Sequence, residues 1–127
     1  MSLTYHYEQK ENYLLVIIEG GFSFASATLT IEAVFKKCIE LNLQKILVDG
    51  SRATGKLTIV DRFQFGEAFA DIQKKYILQS GCSLKTAIFA SPNLVENKKF
   101  GEMVGLNRGA NVKVTIDLIE AKNWLGV

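Results

Sequence analysis

Tyr13 to Glu19 reads YLLVIIE, a near-continuous apolar run set between the polar turn Lys10-Glu11-Asn12 and the pair Gly20-Gly21. A strand with one wet face alternates apolar and polar residues, whereas an unbroken run of this length belongs to a strand buried on both faces. Such strands need helices packed against the sheet, and the chain supplies them. From Ser26 onward Ile31, Val34, Phe35, Cys38, Ile39 and Leu41 recur at three- and four-residue steps, with Glu32, Lys36, Lys37 and Glu40 between them. Gly20-Gly21 is expected to break the strand before this helix.

The same alternation continues along the chain. Leu3 to Gln9 alternates and is rich in Tyr, which suits a half-exposed strand in an antiparallel hairpin at a sheet edge. Lys45 to Asp49 predicts a further strand and Thr58 to about Ser80 a second helix. Val60, Phe63, Phe69, Ile72 and Tyr76 lie on or near one stripe of that helix, and Gly81 suits its C-terminal cap. Lys85 to Ala90 is another buried strand. Ser91-Pro92 opens a third helix ending near Asn107 to Gly109, with Ser at the N-cap and Pro at the first helical position. Val112 to Ile116 is a short strand, and Asp117 caps a terminal helix through Leu125, which Trp124 is expected to anchor. The order β-β-α-β-α-β-α-β-α predicts an α/β fold: a mixed, mostly parallel sheet of about five strands flanked by about four helices.

A length of 127 residues fits one domain spanning 1–127, with no internal repeat or linker. Fifteen Lys+Arg against 13 Asp+Glu give a net charge of +2, too balanced for nucleic-acid binding, and the nearest basic group is Lys98, Lys99, Arg108 and Lys113. The two cysteines, Cys38 and Cys82, form no CxxC or Cys/His cluster, so no structural zinc is expected. The polar N-terminus has no signal-peptide core, and no run of about 18 apolar residues predicts membrane insertion. The expected location is the cytoplasm, with reduced thiols.

Gly50 to Leu57 (GSRATGKL) nearly matches a phosphate-binding loop and is expected to connect a strand to a helix, the context such a loop requires. Leu57 stands where a hydroxyl residue would hold Mg²⁺, and a leucine cannot ligate a metal. No acidic residue ends the later strands to supply a second metal ligand. The segment is therefore read as a connection with glycines at its turns, and no cofactor is expected. His6, the only histidine, sits on the expected edge strand as a surface residue. Asp49, Asp61 and Glu67 would have to converge to act as an acid–base pair, which spacing alone does not show. Phe63, Phe65, Phe69 and Tyr76 are read first as core packing; the second reading is that Phe65, off the main stripe, contributes to an apolar patch for a partner or a second copy of the chain.

The unit ILVDGSRATGKLTIVDRFQFGEAF resembles the SpoIIAA-like branch of the STAS fold. The C-terminal stretch FGEMVGLNRGANVKVTIDLIEAKNWL is similar to that branch's ending, with an Asn-Arg-Gly turn, a short strand and a final helix. The resemblance implies a four- or five-stranded sheet with helices, and no enzymatic chemistry. In anti-sigma-factor antagonists of this fold a Ser or Thr at a helix N-terminus is phosphorylated, which blocks partner binding. Asp49 matches the acid at the family strand end and Thr58 falls near the phosphoacceptor, but Lys56-Leu57-Thr58-Ile59 replaces the family's Asp-Ser-Ser-Gly context.

The expected function is thus a non-enzymatic protein-interaction or regulatory module, its surface built from Asp49, Ser51, Lys56, Thr58, Arg62 and Phe65. A protein partner is expected, and self-association through the Tyr-rich edge strand or a helix face is the homodimer reading. The alternatives are a lipid or small apolar ligand between helices and sheet, lined by Gly20 to Ala27 and the Phe-rich second helix, and nucleotide binding at the Gly50–Lys56 loop.

Overall fold

The computed structural model describes residues 3–55, 59–81, 84–90 and 111–127, without the side chains of Ile59 and Arg62. The expected third helix, Cys82, Lys98, Lys99 and Arg108 lie outside the described residues, as do Lys56 and Thr58. Five strands, Thr4–Gln9 (β1), Leu14–Gly21 (β2), Lys45–Thr54 (β3), Lys85–Ala90 (β4) and Val112–Thr115 (β5), form one sheet in the order β1-β2-β3-β4-β5. The first pair is antiparallel and the other three are parallel, as a hairpin followed by helical crossovers requires. The helices described are Phe24–Leu41 (α1), Ile59–Ser80 (α2) and Leu118–Leu125 (α3).

Alternation along the strands divides the interior in two. Val16, Ile18, Ile46 and Val48 meet Ile31, Val34 and Phe35 of α1 and Phe69, Ala70 and Tyr76 of α2 in one core. Leu47 and Ala87, on the other face, meet Ala121 and Leu125 of α3. The β2 run is therefore buried on both sides only in part: Leu14 and Val16 are fully buried, while Leu15 and Ile17 are half-buried.

Ser23 caps α1. Its hydroxyl accepts the Ser26 N–H at 3.2 Å and the Ser26 hydroxyl accepts the Ser23 N–H at 3.3 Å, so the helix starts at Phe24, two residues before the Ser26 at which the pattern turns helical. Asn42 ends it in the left-handed region at φ 61°. Asp117 caps α3 as its position predicts, accepting from Ile119 N–H at 2.9 Å. The anchor of α3 is not Trp124 alone. Ala121 and Leu125 are the fully buried residues, and the half-buried indole is held by Lys85, whose Nζ lies 4.5 Å from the ring centroid and donates to Trp124 O at 2.6 Å.

Three expectations are corrected. Gly20-Gly21 does not break β2 ahead of the pair, because both residues still pair with β3, Gly20 with Ala53 and Gly21 with Thr54, and the strand stops at Gly21. Likewise β3 does not end at Asp49 but runs to Thr54, so the segment read as a connecting loop is strand through that residue. On α2 the expected stripe holds at Phe69, Ile72 and Tyr76, which face the core, but not in its first turns. Val60 and Phe63 are 62% and 39% exposed, while Phe65, placed off the stripe, packs its ring on Phe22 at 5.5 Å and on Phe69 at 6.1 Å. The inner positions between them are Gly66, Ala70 and Gln73, small or polar residues that carry no apolar signal.

Candidate functional site at the carboxyl ends of β2 and β3

At the carboxyl end of β3 the pairing with β2 slips. Ile17 pairs with Asp49 and Glu19 with Arg52, two steps on one strand against three on the other, so β3 carries an extra residue. The slip reverses the alternation: Ile46 and Val48 face α1 and α2 before it, and Ala53 joins the same core after it. Gly50 sits inside the slip for want of space. A Cβ there would stand 3.0 Å from Phe89 O, 3.4 Å from Ala90 Cβ and 3.5 Å from Ile18 Cδ1.

The bulge puts Ser51 into solvent and folds it onto Asp49. Asp49 Oδ1 accepts the Ser51 N–H at 3.0 Å and the Ser51 hydroxyl at 2.7 Å, a local cap that fixes the carboxylate. Next along, Arg52 Nη1 meets Glu19 Oε1 across the strands at 3.3 Å, with both side chains largely in water, so the pair orients more than it stabilises. Asp49 lies in a transverse row with His6, Ile17, Phe89 and Thr115 as successive strand partners. Ile17 and Phe89 on either side of it are half-buried, giving an acidic centre with apolar flanks.

This geometry bears on the chemistry weighed from the sequence. His6 and Asp49 are two strands apart with Ile17 between them, about 10 Å at the usual strand spacing, too far for a His–Asp hydrogen bond. Asp61 and Glu67 lie on α2, across the sheet from Asp49. Gly50 to Thr54 pairs as strand, so its amides do not form the curved cradle of a phosphate loop. Among the described residues no three His, Cys, Asp or Glu side chains are placed to hold a metal. Cys38 is buried, and burial pushes its thiol up to about 12, away from nucleophilic use. Of the basic group named from the sequence, Lys113 pairs with Glu120 at 3.2 Å.

Of the six residues assigned to the surface, the structure brings Asp49 and Ser51 together and puts Phe65 on the opposite face of the sheet, in the α1–α2 aromatic core. Lys56 and Thr58 are outside the described residues, and so is the side chain of Arg62. Sequence reasoning missed Glu19, Arg52 and the flanking Ile17 and Phe89. The opposite charges of Glu19 and Arg52 were a usable signal only once β3 was known to continue past Asp49. The space between helices and sheet proposed for an apolar ligand is occupied by Phe22, Phe35, Phe65, Phe69 and Tyr76 in ring-to-ring contact. A depression of about 300 Å³ lined by Phe24, Gln64, Glu67, Ala68 and Asp71 lies outside it, open to solvent.

Three solved structures share this architecture over almost their whole length. An anti-sigma factor antagonist from Mycobacterium paratuberculosis matches with a TM-score of 0.58 and 13% identity, over 99% of this chain and 96% of that one. The chain has the STAS/SpoIIAA-like fold. The unphosphorylated form of the anti-sigma factor antagonist SpoIIAA aligns at a TM-score of 0.54 and 12% identity, covering 98% of both chains. An uncharacterized DUF3478-family protein with a SpoIIAA-like fold, from Shewanella loihica PV-4, aligns at 0.53 and 14% identity, over 98% and 93%. No protein-family model matches the chain, and no curated protein does. In this SpoIIAA-like fold the bulge and its Asp49–Ser51 cap stand at the carboxyl ends of parallel strands, where open α/β sheets place their binding surfaces. No helix among the described residues is long and apolar enough to cross a membrane.

Proposed function

We propose that the chain is a non-enzymatic, cytoplasmic protein-interaction module of the regulatory kind, docking its partner at the carboxyl ends of β2 and β3. The observation that carries this reading is the capped carboxylate of Asp49, held by Ser51 in a bulge and flanked by half-buried Ile17 and Phe89. A partner that covers this row gains apolar burial from Ile17 and Phe89 and reads the fixed acid for orientation, with Glu19 and Arg52 at the rim. The likeness to two anti-sigma factor antagonists supports a protein as the occupant. Lys56, Thr58 and Arg62 follow β3 in sequence and are proposed as the second half of the surface. A phosphate on Thr58 or Ser51 would regulate it by adding negative charge, in the case of Ser51 directly beside Asp49.

The test is affinity capture with the tagged chain and with an Asp49→Ala/Ser51→Ala variant at matched melting temperature. A specific protein retained by the first and lost from the second supports the proposal. Equal retention by both overturns the placement, and turnover of a small-molecule substrate by the purified chain overturns the non-enzymatic reading.

A further inference from the structure

The outer edge of the sheet makes a second, independent surface. Among the described residues nothing pairs with the far side of β1, and its register with β2 runs without a slip from Thr4–Glu19 to Gln9–Leu14. β1 contains no proline and no bulge, the devices that usually blunt an edge. The opposite edge, β5, is only four residues long.

Which backbone groups of β1 are unused follows from one bond. Lys10 N–H donates to Tyr13 O at 2.9 Å, so Lys10 and Tyr13 are a hydrogen-bonded pair. Antiparallel pairs alternate, so Glu8 and His6 also bond to β2, and Tyr5, Tyr7 and Gln9 turn their N–H and C=O groups outward. An added antiparallel strand must present outward-turned residues of its own to meet them. A second β1 does so when Tyr7 meets Tyr7 on a two-fold axis. Tyr5 then faces Gln9, and His6 faces Glu8 in the closer, non-hydrogen-bonded pairs. On the α1 side the ring of Tyr7 meets its counterpart, and Tyr5, whose ring is 5.4 Å from Tyr7 within one copy, stands against Gln9. The opposite side gains two symmetric His6–Glu8 contacts, a donor and an acceptor matched in each. The neighbouring two-fold register places His6 against His6, and sets Glu8 against Thr4, whose hydroxyl already donates to Glu19 O at 3.4 Å within its own copy.

We infer that the chain forms a two-fold dimer by antiparallel pairing of β1 with β1 of a second copy, in the register that sets His6 against Glu8. The two sheets become one, five strands from each copy. Because the pairing is antiparallel, the Asp49–Ser51 surfaces point to opposite ends of the assembly and both stay open.

Sedimentation equilibrium across the micromolar range on the full chain tests this, with three variants. The wild type is expected to dimerise. His6→Glu sets like charges against each other twice and is expected to weaken the dimer about tenfold. Adding Glu8→Lys to His6→Glu restores an opposite-charge match and is expected to recover most of the loss. Gln9→Pro removes an outward N–H that β2 does not use and is expected to weaken the dimer as well. If Gln9→Pro alters the far-ultraviolet circular dichroism, the charge pair decides alone. A monomeric wild type, or a dimer indifferent to His6→Glu, overturns the proposal.

Discussion

Gln73 holds Asn111 from both sides. Its Oε1 accepts the Asn111 N–H at 2.7 Å, and its Nε2 donates to Asn111 O at 3.3 Å and to Leu84 O at 2.7 Å. One side chain of α2, 1% exposed, thereby ties the residues that enter β4 and β5. Gln73→Leu keeps the volume and leaves a buried N–H and a buried carbonyl unmatched, so it is expected to cost about 2 kcal/mol. Urea unfolding with an unchanged slope and a lower midpoint checks it.

Thr86 presents the opposite case. It is fully buried on β4, and its hydroxyl has no hydrogen-bond partner among the described residues. Thr86→Val removes a polar group that was desolvated without return and keeps the shape. The expected result is a stability unchanged or raised by up to about 1 kcal/mol, read from the same unfolding curves.

Gly50 carries the bulge. Gly50→Ala drives a methyl to 3.0 Å from the Phe89 carbonyl, a backbone atom that cannot step aside as a side chain can. The expected cost is about 1–3 kcal/mol, together with faster amide exchange at Ser51 and Arg52 as the local pairing loosens.

These three positions show what the sequence made legible and what it did not. The β2 run and the α1 stripe were plain because Leu14, Val16, Ile31, Val34 and Phe35 are apolar where the core needs them. On α2, Phe69 and Tyr76 were equally plain, but the first turns were not, because Val60 and Phe63 are exposed there while Gly66, Ala70 and Gln73 take inner positions. The end of β3 was hidden for a different reason. Ser51-Arg52-Ala53-Thr54 has the composition of a loop, and only pairing with Glu19, Gly20 and Gly21, more than thirty residues away, makes it strand. Asp49 and Ser51 were named as site residues from local chemistry, but their mutual cap depends on that bulge.

The helices α1 and α2 are joined by charge as well as by rings. Glu32 Oε1 accepts from Lys75 Nζ at 2.9 Å and from Tyr76 OH at 3.1 Å. The Lys75 bond first, and then the Tyr76 bond, hold the Glu32 carboxyl below its ordinary 4.5. A lowered folded-state value gives stability that is present above the unfolded value and lost as pH falls through the folded one. Wild-type stability should therefore fall as pH drops below the ordinary glutamate range, and Glu32→Gln should flatten that part of the profile. Thermal melts taken at descending pH on the two proteins provide the comparison.

Docking at the strand tips is tested most directly by a photoreactive amino acid placed at position 51 and, as a control, at position 78 in cells that naturally make the chain. Leu78 is 84% exposed, on the last turns of α2 and at the opposite end of the fold from the bulge. The account predicts a discrete protein adduct from position 51 that position 78 does not give. No adduct at position 51, or the same adducts from both positions, would contradict it.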